Sequence, residues 1–178
     1  MVRRTRRSRL SARRESGQSL VEFALVLTPM MLILLGIIQF GFIFNTYVTL
    51  TNATREAARS GSIYVYDRTL TKAQNDAARN SRIRTSLTAS MNLLTKTAPN
   101  FTTGSTWTQT GQSFANGDLT VAYVIPSGVT DSEPRTGQQV TVSAVYHQDL
   151  LIPIISALLP RDTGGRLALT GQVTMVIN

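Results

Sequence analysis

The longest apolar pattern on the chain runs from Phe23 to Phe44, 22 residues interrupted only by Thr28, Pro29 and Gln39. As a helix rising about 1.5 Å per residue it would reach roughly 33 Å. A bilayer's hydrocarbon core is about 30 Å thick. Between Glu22 and Arg55 no side chain ionises except Tyr47. The pattern therefore predicts a transmembrane helix over residues 18–47. Pro29 lacks a backbone donor and is expected to bend it. Gly36 and Gly41 stand five apart, which is not the GxxxG packing spacing. Gln39 could bond a neighbouring helix, its own backbone, or the membrane edge. Helical spacing continues beyond the span through Leu50, Ala53 and Ala57, with alanines on one face. Gly61 reads as a C-terminal stop, and Arg55, Glu56 and Arg59 as a solvated charged face.

A second helix is predicted from about Thr71 to Lys96. Ile83, Leu87, Met91 and Leu94 form one apolar stripe suited to a sheet, while Arg79, Arg82 and Arg84 read as solvated surface. Residues 98–118 are rich in Thr, Gly, Ser and Asn, a loop or a set of short edge strands around Trp107. Trp107 covers the core or, less simply, offers a ligand platform. Strict alternation then predicts three strands. Leu119, Val121, Tyr123 and Ile125 share one face of the first. Val140, Val142, Ala144 and Tyr146 share one face of the second. Leu167, Leu169, Gly171, Val173, Met175 and Ile177 share one face of the third. Pro126–Gln138 is a polar connection. The apolar stretch Leu150–Leu159 is too short to span a bilayer. It suits a short core helix best, and otherwise a membrane-surface loop or a subunit contact. The fold class is α+β: a long N-terminal transmembrane helix continues into a domain whose second helix packs on a three- to four-stranded antiparallel sheet.

Charge separates the head from the rest. The 178-residue chain carries a formal +8. Seven arginines (Arg3, Arg4, Arg6, Arg7, Arg9, Arg13, Arg14) precede residue 17, with Glu15 the only acid among them. An arginine-rich head can bind nucleic acid, but this one has no aromatic residue and leads straight into an apolar span. Orientation by positive charge explains it better: the head stays cytoplasmic and the C-terminal part is exported. The boundaries are then 1–17 for a basic cytoplasmic leader, 18–47 for the span and 48–178 for an extracytoplasmic pilin-like α+β domain. A secretory signal is the simpler alternative. Its apolar region is usually about 7–15 residues and ends at a small-x-small cleavage site; neither feature fits, so a retained anchor is favoured.

The chain has no cysteine and one histidine, His147. Disulfides and thiolate chemistry are excluded, and histidine-based metal or acid–base centres disfavoured. Asp149 beside His147 reads as structural. No nucleophile–base pair or phosphate-cradling glycine loop occurs. We expect no catalytic, cofactor-binding or metal-binding residue. The triplets beginning at Asn52 and Asn100 match a glycosylation sequon, a motif common by chance.

One carboxylate, Glu22, stands at the mouth of the apolar span, five residues after Gly17. A charge there is costly unless neutralised or paired. Gly17 followed by Glu22-Phe23 resembles the processing site of type IV-like prepilins. Further stretches extend the likeness: Gly17-Gln18-Ser19-Leu20-Val21-Glu22-Phe23-Ala24-Leu25-Val26-Leu27, Gly36-Ile37-Ile38-Gln39-Phe40-Gly41 and Asn52-Ala53-Thr54-Arg55-Glu56-Ala57-Ala58-Arg59. Over about residues 17–61 the chain is similar to the TadE-like minor pseudopilins of tight-adherence (Flp-type) pili. It departs in small ways: Gln39 is neutral where the family often has an acid, and Phe23 stands where tyrosine is also common.

The resemblance implies that a membrane aspartyl peptidase, the prepilin peptidase, cuts between Gly17 and Gln18 on the cytoplasmic face. It also implies that Glu22 and Phe23 serve as assembly contacts. The implied partners are other pilins and pseudopilins along the membrane helix, the prepilin peptidase, the pilus assembly platform and the lipid bilayer, with no nucleic acid and no cofactor. The implied role is to initiate, tip or assemble the pilus from the inner membrane. Two alternatives stay open: an unprocessed single-pass envelope protein binding an extracytoplasmic partner, and a secreted binding domain with a cleaved signal.

Overall fold

A computed structural model describes residues 11–91, 106–129, 134–152 and 157–178. The chain divides into two compact units, Met1–Gly41 and Phe42–Asn178. Helix α1 (Ser11–Ser62) supplies the body of the first unit and one helix of the second. Several threonines stay helical because their hydroxyls donate to a carbonyl one turn back. Thr28 donates to Ala24 O at 3.0 Å, Thr49 to Asn45 O at 2.9 Å and Thr54 to Leu50 O at 2.6 Å, which removes the threonine's competition with the backbone ladder. Pro29 lies inside the helix. Most of the arginine-rich head, residues 1–10, lies outside the described residues.

Helix α2 (Lys72–Met91) begins on a reciprocal cap. Gln74 N donates to Thr71 Oγ1 at 3.3 Å and Thr71 N to Gln74 Oε1 at 2.9 Å. This Thr-x-x-Gln box satisfies two otherwise orphaned donors and explains the start near Thr71 expected from the sequence. Ile83, Leu87 and Met91 are fully buried, as the stripe predicts. Leu94 and the rest of the expected helix through Lys96 lie outside the described residues, as do residues 98–105.

Five strands form one antiparallel sheet in chain order: β1 (Thr108–Thr110), β2 (Ser113–Asn116), β3 (Leu119–Val124), β4 (Gln139–Gln148) and β5 (Leu167–Val176). The three alternating segments became β3, β4 and β5. The Thr/Gly-rich stretch adds two short strands, so the sheet exceeds the three to four anticipated. Gly111 and Gly117 open the two-residue turns flanking β2 with φ near +60°, a conformation other residues adopt at a cost.

Alternation decides what faces the core. In β4 the buried residues are Val140, Val142, Ala144 and Tyr146, and in β3 Leu119, Val121 and Tyr123. They join Leu50, Ala53, Ala57 and Ala58 from α1, the α2 stripe, Phe114 and Ile177 in one cluster. Trp107 packs against its margin, which favours the covering role. Helix α1 ends at Ser62, one residue beyond the stop the sequence suggested at Gly61. Gly61 lies within the last turn of α1, buried, and a β-carbon there would sit 2.6 Å from Ile83 Cδ1. Its role is close helix approach.

Two further expectations are corrected. Arg79 is 1% exposed, not surface. In the apolar 150–159 stretch, whose residues 153–156 lie outside the described set, Leu151 and Leu158 are 68% and 81% exposed. Those two positions do not serve the core.

Candidate membrane and assembly site

From Phe23 to Gly41 the helix of the first unit has no polar face. Leu20, Val21, Phe23, Leu25, Val26, Ile33, Ile37 and Phe40 are all more than half exposed. The stretch from Gly17 carries a window of mean hydropathy 2.4 with none of it buried, long and apolar enough to cross a membrane. An apolar surface on every side of a helix requires lipid or neighbouring helices around it. The N-terminal apolar helix thus points to membrane anchoring.

The four residues singled out from the sequence sit together at the start of this surface. Gly17 is helical, and a β-carbon there would meet nothing within 4 Å. The backbone around Gly17–Gln18 is therefore uncrowded. Gln18 Nε2 donates to Glu22 Oε1 at 3.0 Å, one turn on. Glu22 Oε2 accepts no hydrogen bond among the described residues and is exposed with the rest of the residue. Phe23 beside it is 64% exposed. Glu22 and Phe23 thus present one carboxylate oxygen and one aromatic ring, both available to a neighbour.

The second unit holds a polar cluster that sequence reasoning missed. Arg135 donates to Asp76 twice, Nε to Oδ1 and Nη2 to Oδ2, both at 2.8 Å. The same guanidinium donates to Gln138 Oε1 at 2.8 Å and Gln112 Oε1 at 2.9 Å, and lies 4.1 Å over the Tyr123 ring. Arg79 reaches Asp76 only at 3.8 Å. Asp76, Arg79 and Arg135 are each at most 5% exposed. Tyr123 donates to Asn80 Oδ1 at 2.6 Å. Burial pushes its hydroxyl well above the ordinary tyrosine value, so the ring stays neutral in this setting. Asn75 completes the arrangement by holding the 67–71 turn: Asp67 N donates to its Oδ1, and its Nδ2 donates to Asp67 O, each at 2.9 Å. A signal was present, because Asp76, Arg79 and Asn80 precede Ile83 and Leu87 on the same helical face.

His147 is also not paired as its neighbours in sequence suggest. Its Nδ1 lies 2.5 Å from Asp162 Oδ2 and its Nε2 3.4 Å from Asp118 Oδ1; Asp149 is not its partner. Asp162 also accepts from the backbone N–H groups of Arg166 and Gly164, each at 2.8 Å. The Arg166 bond above all, with His147 and Gly164 adding to it, holds the Asp162 carboxyl below its ordinary value. Among the described residues no group of three or more His, Cys, Asp or Glu side chains is placed to hold a metal ion.

A family model described as TadE-like protein matches residues 17–59. The match begins at Gly17, takes in Gln18, Glu22 and Phe23, covers the whole apolar span and ends near the close of α1. Over these residues the chain is similar to TadE-like proteins, and the likeness suggests involvement in a tight-adherence pilus. No curated protein and no solved structure matches the chain.

Proposed function

We propose, taking the TadE-like stretch at residues 17–59 as premise, that this chain is a minor pseudopilin. It joins other pilins to initiate, tip or assemble a tight-adherence pilus, acting as an interaction protein rather than an enzyme. One observation carries the reading: an N-terminal helix apolar on every side, with a lone exposed carboxylate five residues beyond an uncrowded glycine. The arginine-rich leader keeps the N-terminus cytoplasmic, and the Phe42–Asn178 unit lies on the extracytoplasmic side. The prepilin peptidase cuts after Gly17. That cut removes all seven arginines and leaves an ammonium on Gln18. A neighbouring subunit's ammonium then pairs with Glu22, neutralising the charge at the membrane edge. Phe23 packs at the same contact, and the pilus assembly platform receives the processed chain.

Intact mass of the chain recovered from membranes tests this. We expect an N-terminus at Gln18, and Met1 retained when the prepilin peptidase is absent. Recovery of Met1 within a working pilus complex would overturn the proposal, and an N-terminus near Asn45 would favour a secreted domain. Glu22→Ala is expected to be processed normally yet to fail in assembly. Normal piliation in that variant would refute the pairing role.

A further inference from the structure

The sheet has two unequal edges. β1 is three residues long, whereas β5 runs for ten and pairs with β4 alone. Ile177 N donates to Gln138 O at 2.9 Å, which fixes the alternation of the antiparallel ladder. Leu169, Gly171, Val173 and Met175 therefore turn their N–H and C=O groups to β4. Ala168, Thr170, Gln172, Thr174 and Val176 turn theirs to the open edge. All five are exposed, and none makes a backbone hydrogen bond beyond the sheet among the described residues. Only past the strand is the edge closed, where Asn178 N donates to Ser62 O at 3.3 Å. Folded proteins blunt such edges with charge, proline, a bulge or short length. β5 has none of these. Leu167–Val176 holds no ionisable residue and no proline, and its register with β4 runs one to one from Gln139↔Val176 to Gln148↔Leu167.

We infer that the open edge of β5 receives an extended segment of another protein as a further strand. Free N–H and C=O groups repeating at strand spacing match an extended backbone and little else. On the α1 side, Leu169, Val173 and Met175 are only partly buried against the core, so an added strand covers them with apolar side chains at every second position. On the other side it lies beside Thr170, Gln172 and Thr174 and needs no charge there. The partner segment is thus uncharged and alternates apolar with small polar residues. A second copy of this chain fits less well. Thr46 bonds Gln148 opposite Leu167, Gly171 lies against Leu50 and Thr54, and Ser62 meets Asn178. From Thr46 to Ser62, α1 therefore runs along β5 in the same direction. Two copies joined as antiparallel β5 strands would point their α1 helices in opposite directions, and the apolar spans could not both enter one membrane from the same side. This choice of partner rests on the membrane reading of α1; the open edge itself does not.

The test uses the full chain in detergent micelles, with amide hydrogen exchange followed residue by residue. The probe is the acetylated and amidated peptide Lys-Lys-Thr-Val-Thr-Val-Thr-Val-Thr-Lys-Lys. Its control is N-methylated throughout the Thr-Val core, which keeps the side chains and removes the backbone donors. Without peptide, the amides of Ala168, Thr170, Gln172, Thr174 and Val176 should exchange freely while those of Leu169, Gly171, Val173 and Met175 are protected. With peptide at about ten times its dissociation constant, the open-edge amides should slow about tenfold and the inner ones change little. The methylated control should slow neither. Gln172→Pro removes one open-edge donor and no bond to β4. It is expected to abolish the slowing at Thr170 and Thr174 while the inner amides stay protected. If that variant loses inner protection, Thr170→Glu/Thr174→Glu, which charges the edge, takes its place with the same expectation. Four results overturn the inference: open-edge amides already protected in the dilute chain, no slowing by the peptide, equal slowing by the control, or full slowing in a variant with β5 intact. Protection that grows with protein concentration in the absence of peptide assigns the edge to a second copy and overturns the choice of partner. None of these results depends on cleavage after Gly17, so the pilus proposal stands or falls separately.

Discussion

Asp76→Asn should be among the most damaging single changes in the Phe42–Asn178 unit. The substitution keeps the shape of the side chain and one acceptor oxygen, but removes the carboxylate that pairs with Arg135 and faces Arg79. Two guanidiniums then stay buried, at 1% and 3% exposure, without that carboxylate. Removing one partner of a buried ion pair costs about 3–5 kcal/mol, a large part of the roughly 5–15 kcal/mol that holds a typical domain folded. With a urea slope of about 2 kcal/mol per molar, the unfolding midpoint falls by about 2 M. Trp107 is the sole tryptophan and packs at the margin of the core, so its fluorescence reports the transition directly. Glu56→Gln is the matched control. It breaks an ion pair to Arg59 of the same 2.8 Å length, but on the exposed face of α1, where water already screens the charges; no measurable change in midpoint is expected. The double variant Asp76→Leu/Arg135→Met should unfold nearer the parent than the sum of its single variants, because each change removes the group the other strands. A loss under about 1 kcal/mol for Asp76→Asn, or strict additivity in the cycle, would refute the view that the Asp76 carboxylate holds this cluster.

Two other outcomes follow from packing and from proton linkage. Gly171→Ala places a β-carbon 2.7 Å from Thr54 Oγ1 and 3.3 Å from Leu50 O; backbone cannot yield as a flexible side chain does, so a loss of about 1–3 kcal/mol is expected in the same urea assay, and an unchanged midpoint would show that β5 and α1 part without cost. The Asp162 carboxyl is held below its ordinary value of 3.8, so its contribution is complete above that value and fades as the pH falls through the lower folded value; exchange protection of the Arg166 and Gly164 amides, corrected for intrinsic rates, should drop on acidification below about pH 4, and protection that persists to pH 2 would exclude the carboxylate as their acceptor.

Much of the architecture was legible along the chain because it rests on periodicity. The apolar run from Phe23 to Phe44 can only be helix if lipid surrounds it, since every backbone group must then be satisfied within the segment. Strict alternation in residues 119–125, 140–146 and 167–177 assigned the inward face of each strand correctly. The spacing of Ile83, Leu87 and Met91 assigned the inward stripe of α2. The two short strands around Phe114 were less legible, because they carry few apolar residues and owe their pairing to β3.

What periodicity left out is pairing between distant positions. Arg79 looked like surface because a long cationic side chain usually reaches water. It is buried because the chain's path brings Asp76 and Arg135, 59 residues apart, to one point over Tyr123. His147 found Asp162, 15 positions along the chain, rather than its neighbour Asp149. Local sequence determines which face of an element is apolar, since that depends only on the angle between successive side chains. Only the register of the sheet, and the loops that close it, decide which charges meet. For this chain the sequence alone determined a long apolar helix opening on Gly17 and Glu22, while the tertiary structure decided that Asp76 and Arg135 meet beside Tyr123.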